Sequence, residues 1–172
     1  VLPISVLSYW LIRGLSAGNS VRAVFGGVVG SLSVSLLAAL FSVVVSTPII
    51  IMVSQYRSKF GNILERIMLA LYGLPHISVG VAILFITIKI FPAIYQSFTA
   101  LIISYLIVFL PQAIGAGQAS MEQVKSSYLD ASAGLGLSKL KSFYRITLPL
   151  IYRGLFAGGS LVFLSTMKEL PQ

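Results

Sequence analysis

Long apolar stretches separated by small clusters of charge set the organisation of this chain. Between Arg22 and Arg57 lie 34 residues without a charge, between Arg66 and Lys89 there are 22, and between Lys89 and Glu122 there are 32. A helix needs about 20 apolar residues to cross a hydrocarbon core, so each interval has room for one span. The pattern predicts spans at about residues 24–53, 67–88 and 98–116, and a fourth at 150–170 after a more polar stretch. Residues 1–12 are uncharged but too short to cross. They read as the tail of a preceding helix, with Tyr9 and Trp10 suited to a membrane interface, followed by an extracytoplasmic linker up to residue 22. The rest, 23–172, reads as one domain. The predicted fold class is all-α: a polytopic membrane protein built as a bundle of kinked helices.

Composition narrows the classes. Of the 172 residues, 57% are hydrophobic and 9% are charged, against about 25% charged in an ordinary soluble domain. Mean hydropathy is +0.97. Both a water-soluble globular domain and a disordered chain are excluded, since disorder needs few apolar residues and many charges. There is no cysteine, hence no disulfide, thiolate metal site or cysteine nucleophile. The net charge of +8 would suggest nucleic acid in a soluble protein. In so apolar a chain it reflects membrane orientation instead, because Lys and Arg concentrate in cytoplasmic loops. Eight of the twelve basic residues (Arg57, Lys59, Arg66, Lys125, Lys139, Lys141, Arg145, Arg153) fall in the loop after span one and the connector after span three. Alternation puts both on one side, which is therefore read as cytoplasmic. The start at Val1 rather than Met, and the end at Gln172 in apolar sequence, suggest a piece of a longer chain.

Helix-perturbing residues are frequent. Pro48, Pro75 and Pro111 lie in or at the ends of spans, and Gly26/Gly30 and Gly154/Gly158 form two G-x-x-x-G pairs. Small residues let membrane helices approach closely, so both pairs read as packing sites. The connector, about residues 121–149, far exceeds the usual loop of about 4–6 residues. Asp130, Ala131, Ser132 and Ala133 suit the start of a short helix with an acid near its positive end, Gly134 and Gly136 break it, and residues 137–146 resume with helical periodicity, Leu137, Leu140 and Tyr144 opposite Lys139 and Lys141. Pro149 is then expected to open the last span, where a missing N–H is harmless. A short helix held between two spans above a sharp turn is a docking element for a partner's groove or for the membrane surface.

Asp130-Ala131-Ser132, with Gly136 six residues after the acid and then Phe143, Ile146 and Leu148-Pro149, resembles the E-A-A loop of type I bacterial ABC importer permeases, with spacing that fits without gaps. Asp130 stands where Glu is usual and Ser132 where Ala is usual. Phe109-Leu110-Pro111 with Ala113-Ile114-Gly115, and Met167-Lys168-Glu169-Leu170-Pro171, resemble segments of the second half of ferric-iron permeases, whose chains carry two cores in tandem. Permeases for thiamine, polyamines, sulfate and phosphonates are similar in much of this.

What the resemblance implies is a multi-pass subunit of the bacterial inner membrane that forms the substrate pathway and is no enzyme. It would pair with a second permease core, fused or separate. A cytoplasmic ABC ATPase dimer would sit beneath it, and a substrate-binding protein would deliver cargo from outside. A fifth core helix would follow residue 172. The chain would bind no cofactor or resident metal; ATP and magnesium would belong to the ATPase, and G-x-x-x-x-G-K-[ST] is absent from this sequence. The helix at about 127–135 with its turn at Gly136 would be the coupling helix seated in the ATPase, carried by Asp130, Ala131, Ser132, Gly136, Leu148 and Pro149. His76, a single imidazole, reads as a hydrogen-bond partner for a neighbouring helix rather than a metal site. Lys168 and Glu169 have two readings: a snorkelling pair at the interface, or a charged part of the pathway in which Glu169 attracts a cation and Lys168 balances it. A secondary transporter or channel would need more acids inside the spans than Glu169. A membrane hydrolase would need a nucleophile elbow or H-E-x-x-H, and neither occurs.

Overall fold

A computed structural model describes residues 2–16, 21–56, 59–124 and 126–169. In order these form α1 (Leu2–Ser16), α2 (Val21–Tyr56), α3 (Lys59–Tyr72), α4 (His76–Lys89), a 3-10 turn at Pro92–Ile94, α5 (Phe98–Met121), α6 (Ser126–Gly134), α7 (Lys139–Ser142), a π-helical segment at Phe143–Thr147, and α8 (Leu148–Lys168). No strand occurs among the described residues. In lipid every backbone group must be satisfied within its own segment, so an apolar chain of this kind spans as helices. Three helical segments, Phe25–Ser54, Phe98–Met121 and Leu140–Lys168, are long and apolar enough to cross.

The core is the packing of α2, α5 and α8. Ile50, Ile114, Met121, Ile151 and Leu155 form one buried cluster, with Met68 of α3 against it. Ala39, Phe109, Ala113 and Val162 form a second. The order of these pairings shows that α2 and α5 run in the same direction and α8 runs against them. The helices touch through small residues. A Cβ on Gly158 would come within 2.9 Å of the Ala113 carbonyl oxygen, and one on Gly154 within 2.8 Å of that of Ala116. Outward faces carry large apolar side chains such as Leu36, Leu40 and Phe156, while Ser35, Ala38, Ser42 and Ser46 are buried. That distribution suits a lipid solvent, where packing and not water exclusion joins helices.

Four expectations need correction. The second span is not one helix: Arg66–Tyr72 and His76–Lys89 meet at a 105° bend. Gly73, Leu74 and Pro75 separate them, and Pro75 caps α4 in extended conformation, the arrangement favoured where a proline ring excludes helical continuation. The chain still crosses here, because α2 and α5 run in parallel and their connection must return to the starting side. Secondly, Gly26 and Gly30 meet nothing within 4 Å, so of the two G-x-x-x-G pairs it is Gly154/Gly158 that packs helices among the described residues. Thirdly, Pro149 stands in the first turn of α8 as expected, but the helix does not begin afresh there. One apolar helical run extends over Leu140–Lys168 and widens at Phe143–Thr147, where the Leu148 N–H donates to the Phe143 carbonyl. Pro149 has no N–H for the carbonyl four residues back and its ring crowds that carbonyl; the π segment absorbs both effects. Residues 137–146 are therefore no separate amphipathic helix, and Leu140 and Tyr144 are exposed. Fourthly, Asp130 lies in the second turn of α6, not at its positive end, because the helix begins at Ser126.

Ahead of the core, α1 is a helix of its own over Leu2–Ser16. In α1 the Tyr9 and Trp10 rings meet edge to face at 5.9 Å, and Ile4, Leu7, Trp10 and Ile12 are exposed.

Candidate coupling loop and membrane pathway

Two places could carry function, one at each end of the core. At the Met121 end, α5 closes with a turn at Glu122–Val124 and α6 follows. Its C-terminus is closed by glycine. Gly136 has φ +73°, and beyond it the Leu137 N–H donates to the Ser132 carbonyl at 3.1 Å. This six-to-one bond around a left-handed residue is the Schellman closure. No atom lies within 4 Å of a Cβ on Gly136, so the demand for glycine here is conformational rather than steric.

The loop is fastened by an unexpected bond. Ser132 and Ser142, 3% and 6% exposed, join hydroxyl to hydroxyl at 2.6 Å. Ser142 belongs to the helix that continues into α8, so α6 is tied to the base of the last span. Ser132 stands where the resembled motif has Ala, and ten residues separate it from its partner. Ala131 and Asp130 are exposed, and no ion pair to Asp130 forms among the described residues. Leu148 packs against the first core cluster, and Pro149 is exposed beside it. Asp130, Ala131, Ser132 and Gly136 thus form one element, while Leu148 and Pro149 belong to the root of the span. Arg57 and Lys125, two of the basic residues used for orientation, lie outside the described residues.

At the opposite end, His76 Nδ1 lies 3.1 Å from Glu169 Oε1. Pro75 starts α4 with His76 as its first residue, which brings the imidazole to the end of α8. Phe109, buried in the second core cluster, meets the His76 ring edge to face at 5.3 Å. His76 thus bonds a neighbouring helix, as expected of a single imidazole, and its partner is the one acidic residue of the terminal span. Lys168 is exposed, and His76, not Lys168, pairs with the carboxylate. The pair sits 93 residues apart in sequence, so no local motif could have announced it. Both residues line a cavity of about 530 Å³ between α4 and α5, together with Tyr95, Gln96, Ser104 and Tyr105. A second cavity of about 460 Å³, lined by Met68, Tyr72, Gln112 and Gln118, lies between α3 and α5.

Several hydroxyls of the spans are committed to structure, whereas those of Ser42 and Thr147 are buried without a hydrogen-bond partner among the described residues. Ser33, Thr47, Ser104, Ser160 and Thr166 each donate to the carbonyl four residues back, the usual way a helix in lipid satisfies such groups. Ser165 donates to Gln112 Oε1 at 3.1 Å and links α8 to α5. None of these has a base within reach to make it a nucleophile.

Residues 45–171 match the family described as the binding-protein-dependent transport system inner membrane component. The chain belongs to that family. Among relatives, it is 30% identical over 171 residues, 98% of its length, to the Fe(3+)-transport system permease protein FbpB 2 of Haemophilus influenzae, covering 34% of that protein. It is 38% identical over 69 residues, 40% of its length, to the spermidine/putrescine transport system permease protein PotB of Escherichia coli, covering 25% of it. A probable ABC transporter permease protein of Sinorhizobium fredii is 24% identical over 83% of the chain, which covers half of that relative. The chain thus spans between a quarter and a half of the length of these relatives. The inner membrane component family is a transport family, and all three relatives bear the names of permeases rather than enzymes. The family match extends from within α2 to beyond α8 and takes in both the loop carrying α6 and the His76–Glu169 end.

Proposed function

We propose that this chain forms part of the membrane pathway of an ATP-driven importer for ferric iron in the bacterial inner membrane. Cytoplasmic ATPase subunits would drive it through α6, a second permease core would complete the pathway, and a substrate-binding protein would load it from outside. The observation that carries the coupling reading is the fastening of α6. Its far end turns at Gly136, Ser132 bonds Ser142, and from there one helical run leads through the π segment into α8. A push on α6 therefore reaches α8, and through Gly154 and Gly158 it reaches α5. ATP and magnesium would be handled by the partner, which docks on the exposed face carrying Asp130. Iron is favoured by the relative that matches 98% of the chain, a permease named for Fe(3+). The shorter match to a permease named for spermidine and putrescine supports a second reading, polyamine transport by the same architecture.

Gly136→Asp and Asp130→Lys in the full permease are expected to insert and assemble normally but to lose the ATPase stimulation that substrate-loaded binding protein produces. Normal stimulation in either variant would remove the coupling role of α6. Uptake of radiolabelled iron and radiolabelled putrescine, in a strain lacking the native transporter, separates the two cargoes.

A further inference from the structure

The last helical run is longer than a bilayer core. It covers 29 residues, Leu140–Lys168, where about 20 suffice to cross the hydrocarbon. Lys168 closes the run at one end, and counting back about 20 residues from it sets the other hydrocarbon boundary close to Pro149. The π segment and the residues before it then lie among lipid headgroups. Lys141 and Arg145 stand there, four residues apart and so on one face, and both are exposed. Arg153 comes one turn past the boundary. In a continuous α-helix it would lie about 80° around the axis from Arg145, and the wider turn at Phe143–Thr147 brings it closer to that face.

Arg153 is exposed, with Leu150 and Phe156 exposed on either side of it along the helix. Side chains of a helix lean towards its N-terminus, and a long basic side chain carries its charge back to the headgroups. A neighbouring phenol steadies the guanidinium. Its Nε–H donates to the Tyr152 hydroxyl at 3.1 Å, and the group lies 5.8 Å from the centroid of the Tyr152 ring. That leaves the two terminal nitrogens, which can hold a phosphate by a forked contact. Lys141, Arg145 and Arg153 make no ion pair among the described residues, and the sequence has no acid between residues 131 and 168. Tyr144 and Tyr152 are exposed beside them, as tyrosines at a membrane interface are.

We propose that Lys141, Arg145 and Arg153 form a binding face for the phosphate of an anionic phospholipid at the foot of the last span. A zwitterionic lipid offers the same phosphate together with its own cation, so three basic groups without an acid among them favour the lipid of net negative charge. Bound lipid would fix the depth of the helix at the segment that joins α6 to α8. The face serves whatever cargo the permease carries.

An acidic surface of a partner protein is the competing occupant, and lipid and partner are measured in the same preparations. The full permease complex, purified in detergent, is mixed with phosphatidylglycerol and phosphatidylcholine of identical chains in equal amounts. Lipids that stay bound are counted by native mass spectrometry. The unmodified complex should retain phosphatidylglycerol in preference to phosphatidylcholine. Arg145→Gln and Arg153→Gln should each lower that preference about fivefold, the scale of one basic residue at an anionic surface, and Arg153→Lys, which keeps the charge, should lose less. Arg66 is the comparison: it is exposed on α3, close to Met68 at the same end of the core, and Arg66→Gln should leave the preference unchanged. An equal loss in Arg66→Gln would show that net charge, not a site, attracts the lipid, and overturns the proposal. No preference in the unmodified complex, or an unchanged one in both Arg145→Gln and Arg153→Gln, overturns it too. Loss of a partner subunit with the lipid preference intact assigns the face to that partner instead. Should Arg153→Gln fail to assemble, Arg145→Gln, at a side chain outside the hydrocarbon, decides alone.

Discussion

The three-helix core and α4 are both made of strongly apolar sequence, yet they are joined to the molecule in different ways. In α2, α5 and α8 the contacts run through glycine, alanine and serine, with Gly158 against the Ala113 backbone and Gly117 against Ile50. Helix α4 instead shows Ile77, Val81, Phe85 and Ile88 on its surface, and only Val79 and Thr87 are buried along it. Close approach makes a rigid frame, since interlocked backbones have no soft side chain to yield. A half-helix attached by a proline break, one edge of α5 and the His76–Glu169 bond can move while the frame stays. Under the proposed coupling, the frame would transmit displacement from α6 while α4 would be free to move at the far end.

The sharpest way to break this comparison is to overfill the frame. Gly158→Leu places a branched side chain where a single Cβ already meets backbone. It should cost about 3 kcal/mol, the upper range for overpacking, read as a lowered unfolding midpoint of the purified permease in detergent. A loss below about 0.5 kcal/mol, the level of an uninvolved surface position, would show that α8 shifts freely and that the frame is not rigid. A smaller effect is expected where α6 is tied to that frame. Ser132→Ala leaves the Ser142 hydroxyl buried without its partner, at about 1–2 kcal/mol, and Ser132→Ala with Ser142→Ala should recover most of it. A double-mutant cycle with additive losses would mean that the two hydroxyls do not bond. The smallest effect belongs to α4. Ile77→Ala, at a side chain 72% exposed, should change stability by no more than about 0.5 kcal/mol. A loss above 1 kcal/mol in the assembled complex would sharpen the comparison differently, by showing that another subunit covers α4.

Particular residues show how far the sequence could be read. The charge-free intervals located three apolar segments and the apolar run after the connector a fourth, because hydropathy along a helix is a local property; three of them are helices long enough to cross and one is a bent pair. Gly136 was legible because the spacing of the loop needs a chain reversal there, and a positive φ belongs to glycine whatever the fold. The bend at Pro75 was legible as a kink but not as a 105° break, since its size depends on what α3 and α4 each find on α5. Two identical G-x-x-x-G spacings divided, one packed and one open, because the motif permits close approach and a facing helix has to use it. Pro149 opens α8 as read, but the helix before it runs on into α8, because the π segment absorbs the proline.

By itself the sequence determined that lipid is the solvent, where the long apolar helices fall and the place of the glycine-closed helix after α5. These follow from hydropathy, charge and backbone conformation, which act over one or two helical turns. Only the tertiary structure decided which small residues meet, that Ser132 reaches Ser142, and that His76 stands beside Glu169 across 93 positions. Those pairings depend on how helices lie against one another, and in lipid that is set by the fit of whole surfaces rather than by any single stretch of chain.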